Sequence, residues 1–88
     1  MATDYLKTTD FLNEELDSFY RILRRGSNGS ERQAAIDRLR AVVSQTEPLE
    51  EPGEQWRNLA QEQRWGYLRM VSHLGTALHE LKRVGDAG

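Results

Sequence analysis

The chain has no cysteine, which excludes disulfide bonds and thiolate metal ligands. Its two histidines, His73 and His79, fall on different faces of a helix and share no face with a carboxylate at ligand-like spacing. A nucleophile framework and a glycine-rich phosphate loop after a strand are missing as well. We therefore expect a protein that is not an enzyme and that uses no cofactor and no metal ion.

A basic excess is also absent, because 12 Lys and Arg residues stand against 14 Asp and Glu residues, for a net charge of −2. Domains that bind nucleic acid usually carry a basic excess, since neutralising phosphates drives their affinity. No apolar run approaches the ~20 residues that span a membrane, and the first residues lack the basic and apolar regions of a secretory signal. The sequence predicts a cytoplasmic protein whose partner is neither a membrane nor, in the first instance, nucleic acid.

Turn-forming residues concentrate at two points, in segment 26–30 and in segment 46–53. Elsewhere apolar residues recur with a helical period, and the alternation typical of strands is missing. At 88 residues the chain is expected to form a single helical domain over 1–88. The pattern predicts an all-α fold, a three-helix bundle of up-down-up topology, with helices at about 4–25, 31–45 and 54–84.

The first two predicted helices differ in how much apolar surface they offer. The first carries a seam in which the spacing alternates between four and three residues, as in coiled coils: Tyr5, Thr9, Leu12, Leu16, Phe19 and Leu23. At the start of the second helix, Ser30 and Gln33 have the spacing of a capping box. Its apolar stripe is narrow, so it is expected to bury little: Ala35, Ile36, Leu39, Val42 and Val43.

The third predicted helix is the longest and carries an apolar stripe that keeps one phase from Trp56 to Val84. Two shorter helices are not expected to cover such a stripe, and small domains commonly compensate for a thin core by oligomerising. We therefore predict a homodimer. The residues assigned to self-association are Tyr67, Met70, Val71, Leu74, Leu78 and Leu81.

A second tryptophan, Trp65, follows Trp56 by nine residues, so a straight helix places the two on opposite sides. Tryptophan is enriched at binding hot spots, and we predict that Trp65 and its neighbour Leu68 contact a protein partner. The alternative is that the helix kinks near Gly66, or that the first helix covers Trp65, which would place it in the core. Glycine is unfavourable inside a helix, and a close approach by another helix is expected at Gly75.

Arginines surround the turn between the first two helices, where free N–H groups and the helix dipole favour anions. The residues assigned to this anion site are Arg24, Arg25, Ser30 and Arg32. The main functional prediction is a protein–protein interaction module that acts through its long amphipathic C-terminal helix as a regulator, inhibitor or assembly factor. The alternative prediction is a regulator that binds nucleic acid or phosphate through these arginines.

Overall fold

The computed structural model describes residues 4–25 and 29–86, and these residues contain three α-helices and no strand. Helix α1 spans Tyr5–Arg24, α2 spans Gly29–Thr46 and α3 spans Gln61–Asp86. Two short 3-10 helices, Glu47–Glu50 and Gly53–Asn58, lie between α2 and α3. The prediction of an all-helical fold is confirmed.

Helix α1 buries the seam that its sequence predicts. Tyr5, Thr9, Leu12, Leu16 and Phe19 are buried and Leu23 is half-buried. The helix begins after Asp4, whose carboxylate accepts a hydrogen bond of 3.2 Å from the backbone N–H of Lys7. Such a cap satisfies one of the backbone donors that a helix N-terminus leaves free, so α1 starts at a defined residue.

Helix α2 buries the apolar stripe predicted for it, because all five residues of the stripe are buried. The predicted capping box is wrong, because the helix already begins at Gly29 and Ser30 lies inside its first turn. The Gln33 side chain bonds instead to Asp37, one turn further along. On the side facing α1, Arg38 donates two hydrogen bonds of 2.8 Å to the buried carboxylate of Glu15.

The predicted third helix is wrong over its first seven residues, because α3 begins at Gln61. The chain enters the preceding 3-10 helix through Gly53 at φ +64°, and Leu59 then adopts an extended conformation. Arg64 stabilises this departure, since its guanidinium donates to the Trp56 and Arg57 carbonyls and lies 5.5 Å from the centre of the Trp56 ring. Side-chain donors thus replace the helical hydrogen bonds that these carbonyls would otherwise accept.

The core consists of two clusters, one toward each end of the helices. The cluster near the start of α1 and α3 includes Tyr5, Leu12, Val42 and Met70, and Leu49 of the first 3-10 helix packs against it. The other joins the three helices around the following residues: Leu16, Phe19, Ala35, Ile36, Leu39, Val43, Leu74, Ala77 and Val84.

This arrangement corrects the surface assigned to self-association. Met70 and Leu74 are fully buried within the single chain, and Tyr67, Val71 and Leu81 are half-buried against the two clusters. Leu78 is 42% exposed. Most of the predicted surplus of apolar stripe does not arise, because α3 is shorter than predicted and the segment between α2 and α3 contributes Leu49 and Leu59 to its cover.

Candidate functional site

The first turn of α1 crosses α3 at Gly66, and the two backbones nearly touch there. A Cβ atom on Gly66 would lie 2.8 Å from the backbone nitrogen of Leu6 and 2.9 Å from the carbonyl carbon of Tyr5. The hydroxyl of Thr9 donates a buried hydrogen bond of 2.6 Å to the Gly66 carbonyl. The close approach predicted at Gly75 is therefore found at Gly66, and the Cβ position of Gly75 has no atom within 4 Å.

The crossing brings Leu6 of α1 beside Trp65 of α3. Both line one shallow groove, together with Glu62 and Arg69. Trp65 is 59% exposed, Leu68 on the next turn is 53% exposed and Leu6 is 38% exposed. We call these five residues the Trp65 face. Of the two alternatives for Trp65, the structure shows the exposed one, because α3 is one helix through Gly66 and α1 does not cover the indole.

The Trp65 face rests on a base that is fixed by packing. The residues that adjoin Leu6 and Trp65 in the chain, Tyr5 and Gly66, are both buried. The Tyr5 ring meets the Tyr67 ring edge-on at 5.4 Å, and the Tyr5 N–H donates to the Gln63 side chain at 2.7 Å. The backbones under the exposed side chains therefore have little freedom, which lowers the entropy that a partner has to overcome.

The charges of the Trp65 face are balanced and unpaired. Glu62 lies three residues before Trp65 on α3, and Arg69 lies four residues after it. Within the described residues neither side chain forms a hydrogen bond or an ion pair. The face therefore presents an apolar centre between one carboxylate and one guanidinium, both of which are free to pair with a partner.

The four residues assigned to the anion site are all exposed, and one of them lines a groove. Arg25 lines a shallow groove between α1 and α2, together with Glu31 and Arg38. The carboxylate of Glu31 disfavours an anion in this groove, and Arg38 is already paired with Glu15. Within the described part of the chain, Arg24, Ser30 and Arg32 do not line the groove. Residues 26–28 of the intervening turn lie outside the described residues.

Metal-holding clusters and membrane-spanning helices are not found among the described residues. Among residues 4–25 and 29–86, no group of three or more Asp, Glu or His side chains is arranged to hold a metal ion. His73 is half-buried and His79 is exposed. None of the described helices has an apolar stretch long enough to cross a bilayer.

The shifted pKa values of Glu15 and Tyr67 arise from contacts that hold the helices together. The two hydrogen bonds from Arg38 lower the pKa of the Glu15 carboxyl, against the opposing effect of burial. Burial raises the pKa of the Tyr67 phenol, and the Glu50 carboxylate adds to the effect. The Tyr67 hydroxyl donates to the Glu50 carbonyl, which ties the first 3-10 helix to α3.

The sequence predicts Trp65 and Leu68 as contact residues, whereas Leu6, Glu62 and Arg69 join this surface only in the folded structure. A signal for Leu6 existed, because it is a large apolar residue outside the seam of α1. Its position beside Trp65, however, depends on where α1 crosses α3, and only the structure locates that crossing at Gly66. Comparisons of the chain with protein-family models, curated proteins and solved structures give no significant match. The function has to be inferred from the side chains themselves.

Proposed function

We propose that this chain is a non-enzymatic protein-binding module whose contact surface is the Trp65 face. The observation that carries the proposal is the joint exposure of Trp65, Leu68 and Leu6 on a fixed base. Exposed apolar side chains are ordinary when they are scattered, but a contiguous group rimmed by charges is typical of an interaction site. Tryptophan at the centre of such a group is the residue type most often found to dominate binding energy.

The exposed areas indicate how a partner has to bind. A tryptophan side chain buries up to about 250 Å², so covering the exposed 59% of Trp65 removes roughly 150 Å² from water. At ~25 cal/mol per Å² this contributes about 4 kcal/mol, which is comparable to the lowest estimates for the free energy lost on association. Trp65 alone therefore does not hold a partner, and Leu6 and Leu68 have to be covered in the same event.

The remaining features of the proposal follow from the fold and composition. The contact of Thr9 with Gly66, near the starts of α1 and α3, supports a parallel course of these two helices. The core groups Leu12 with Val42 and Phe19 with Ala35, which supports an antiparallel course of α1 and α2 and so an up-down-up order. The net charge of −2 favours a protein partner over nucleic acid. The biological role in this proposal is that of a cytoplasmic regulator, inhibitor or assembly factor.

Photo-crosslinking in the cells that produce the chain tests the proposal. A photoreactive side chain replaces Ser72, which is exposed on the turn of α3 after Leu68. We expect a crosslinked protein adduct that is lost in Trp65→Ala and reduced in Leu68→Ala. Leu78→Ala is the matched control, since Leu78 is also an exposed leucine of α3 but lies outside the Trp65 face. An adduct that is insensitive to Trp65→Ala, or no adduct at all, contradicts the proposal.

A further inference from the structure

We infer that the Trp65 face binds a second copy of this chain, related by a two-fold axis that runs between the two α3 helices, perpendicular to both and level with the midpoint between Trp65 and Gly66. This inference rests on the proposed function and names its partner. The two α3 helices then run antiparallel across the interface, and each copy uses the same five residues. The contact is a different one from the self-association surface predicted from the sequence, most of which is covered within the single chain.

The charges of the face are complementary to themselves under this symmetry. Glu62 is three residues before Trp65, and Arg69 is three residues after Gly66, so the two lie at equal distances from the proposed axis. At 1.5 Å per residue each is about 5 Å from it along the helix. The rotation therefore places Glu62 of each copy opposite Arg69 of the other, which forms two equivalent ion pairs.

The proposed symmetry also requires Glu62 and Arg69 to lie on the same side of α3. A two-fold axis perpendicular to α3 makes each flank of the helix face the same flank of its copy. Glu62 and Arg69 both lie on the flank of α3 that adjoins Leu6, because the three residues line one groove with Trp65. The opposed charges thus meet on the same flank, while Trp65 lies near the axis and meets its symmetry mate. Isologous interfaces require this kind of self-complementary surface.

The size of the face predicts a weak dimer. Its three apolar side chains expose roughly 300 Å² per copy, if Trp65 contributes about half of that area. Stable interfaces bury about 1,200 Å² or more in total. We expect reversible, concentration-dependent association, in which the charge pairs select the antiparallel partner and register more than they add affinity.

Charge exchange between the two rim residues tests the inference by sedimentation equilibrium over a range of concentrations. Glu62→Arg places two arginines opposite each other at both contacts, and Arg69→Glu places two glutamates there. Each variant alone should associate at least tenfold more weakly than the wild type. An equimolar mixture of the two should recover the wild-type affinity, because a mixed dimer restores both ion pairs. The double variant in one chain should recover it as well.

Two controls match these substitutions in charge but lie outside the face. Glu14→Arg and Lys82→Glu change exposed residues of α1 and α3 by the same amounts, and both should associate as the wild type does. Glu62 lies in the first turn of α3, where an added cation is unfavourable. Circular dichroism therefore checks folding, and Glu62→Gln serves as a second variant that removes the pair without adding a positive charge.

The outcomes separate this inference from the proposed function. A wild-type chain that stays at 10.1 kDa at all concentrations overturns the inference, and so does a mixture that fails to recover association. If a Trp65-dependent crosslink to a different protein is seen in that case, the proposed function stands and its partner is not a second copy. If the Trp65-dependent crosslink is also absent, both are wrong.

Discussion

Replacing Gly66 with alanine is the sharpest perturbation that the helix crossing offers. Alanine is favoured over glycine inside a helix by about 1 kcal/mol, so on propensity alone Gly66→Ala should stabilise the chain. The added methyl group, however, would sit 2.8 Å from the Leu6 nitrogen and 2.9 Å from the Tyr5 carbonyl carbon. These are backbone atoms of α1, which cannot rotate away as a side chain can, so the first turn of α1 has to move off α3.

The magnitude follows from what this movement disrupts. Overpacking a tight contact typically costs about 1–3 kcal/mol. The hydrogen bond from Thr9 to the Gly66 carbonyl is lost or lengthened, which adds about 0.5–1.5 kcal/mol. After the helix-propensity gain is subtracted, we expect Gly66→Ala to lower the free energy of unfolding by about 1–3 kcal/mol. In a domain of this length each kcal/mol shifts Tm by roughly 4–8 °C.

Gly75→Ala is the matched control, because it makes the same chemical change in the same helix with no atom within 4 Å of the new methyl group. It should stabilise the chain by up to about 1 kcal/mol. Urea denaturation followed by circular dichroism measures both variants against the wild type. If Gly66→Ala is as stable as Gly75→Ala, the backbone contact between α1 and α3 is not as close as described, and the rigid base of the Trp65 face is lost with it.

Three further predictions concern the core, the ion pair between Glu15 and Arg38, and the two tryptophans. Leu74→Ala should lower the free energy of unfolding by about 2–5 kcal/mol because Leu74 is fully buried, and an unchanged urea midpoint would show that it is not. Arg38 lowers the pKa of Glu15 in the folded chain, so the stabilisation is present above the ordinary carboxyl pKa of 4.5 and is lost as the pH falls through the lowered value. Glu15→Gln should accordingly destabilise the chain at neutral pH and much less in strong acid, whereas a pH-independent difference between the two denaturation curves would contradict the pair. In single-tryptophan variants at low protein concentration, iodide should quench Trp65 more readily than the half-buried Trp56, and equal protection of both would mean that Trp65 is covered within the monomer.

Most of the helical architecture is predictable from periodicity, because burial of one face dictates the spacing of apolar residues. The seam of α1 from Tyr5 to Phe19 and the stripe of α2 are buried as predicted. Periodicity reports where apolar side chains fall and not which hydrogen bonds the backbone makes. Trp56 and Leu59 continue the helical spacing of apolar residues in α3, yet neither belongs to that helix. Trp56 lies in the second 3-10 helix and Leu59 is extended, and both pack back against α3.

The candidate site was less predictable, because it depends on where two helices cross. Gly66 and Gly75 both lie in the interior of α3, and nothing local distinguishes Gly66, which meets α1, from Gly75, which faces open space. For the same reason the sequence does not predict that Leu6 lies beside Trp65, since the crossing of α1 and α3 brings the two together. Met70 and Leu74 were predicted to mediate self-association because the two shorter helices alone are too short to cover α3. Helix lengths do not reveal the additional cover that Leu49 and Leu59 provide.

The crossing at Gly66 also determines when the Trp65 face can exist during synthesis and folding. The hydrogen bonds that fix the start of α1 to α3 join residues 58 and 57 positions apart in the chain. Contacts of such separation form late, because a long loop has to close before they are made. A nascent chain that has released α1 and α2 therefore lacks the paired surface of Leu6 and Trp65. Binding through this face is thereby restricted to chains in which α3 has been completed and docked.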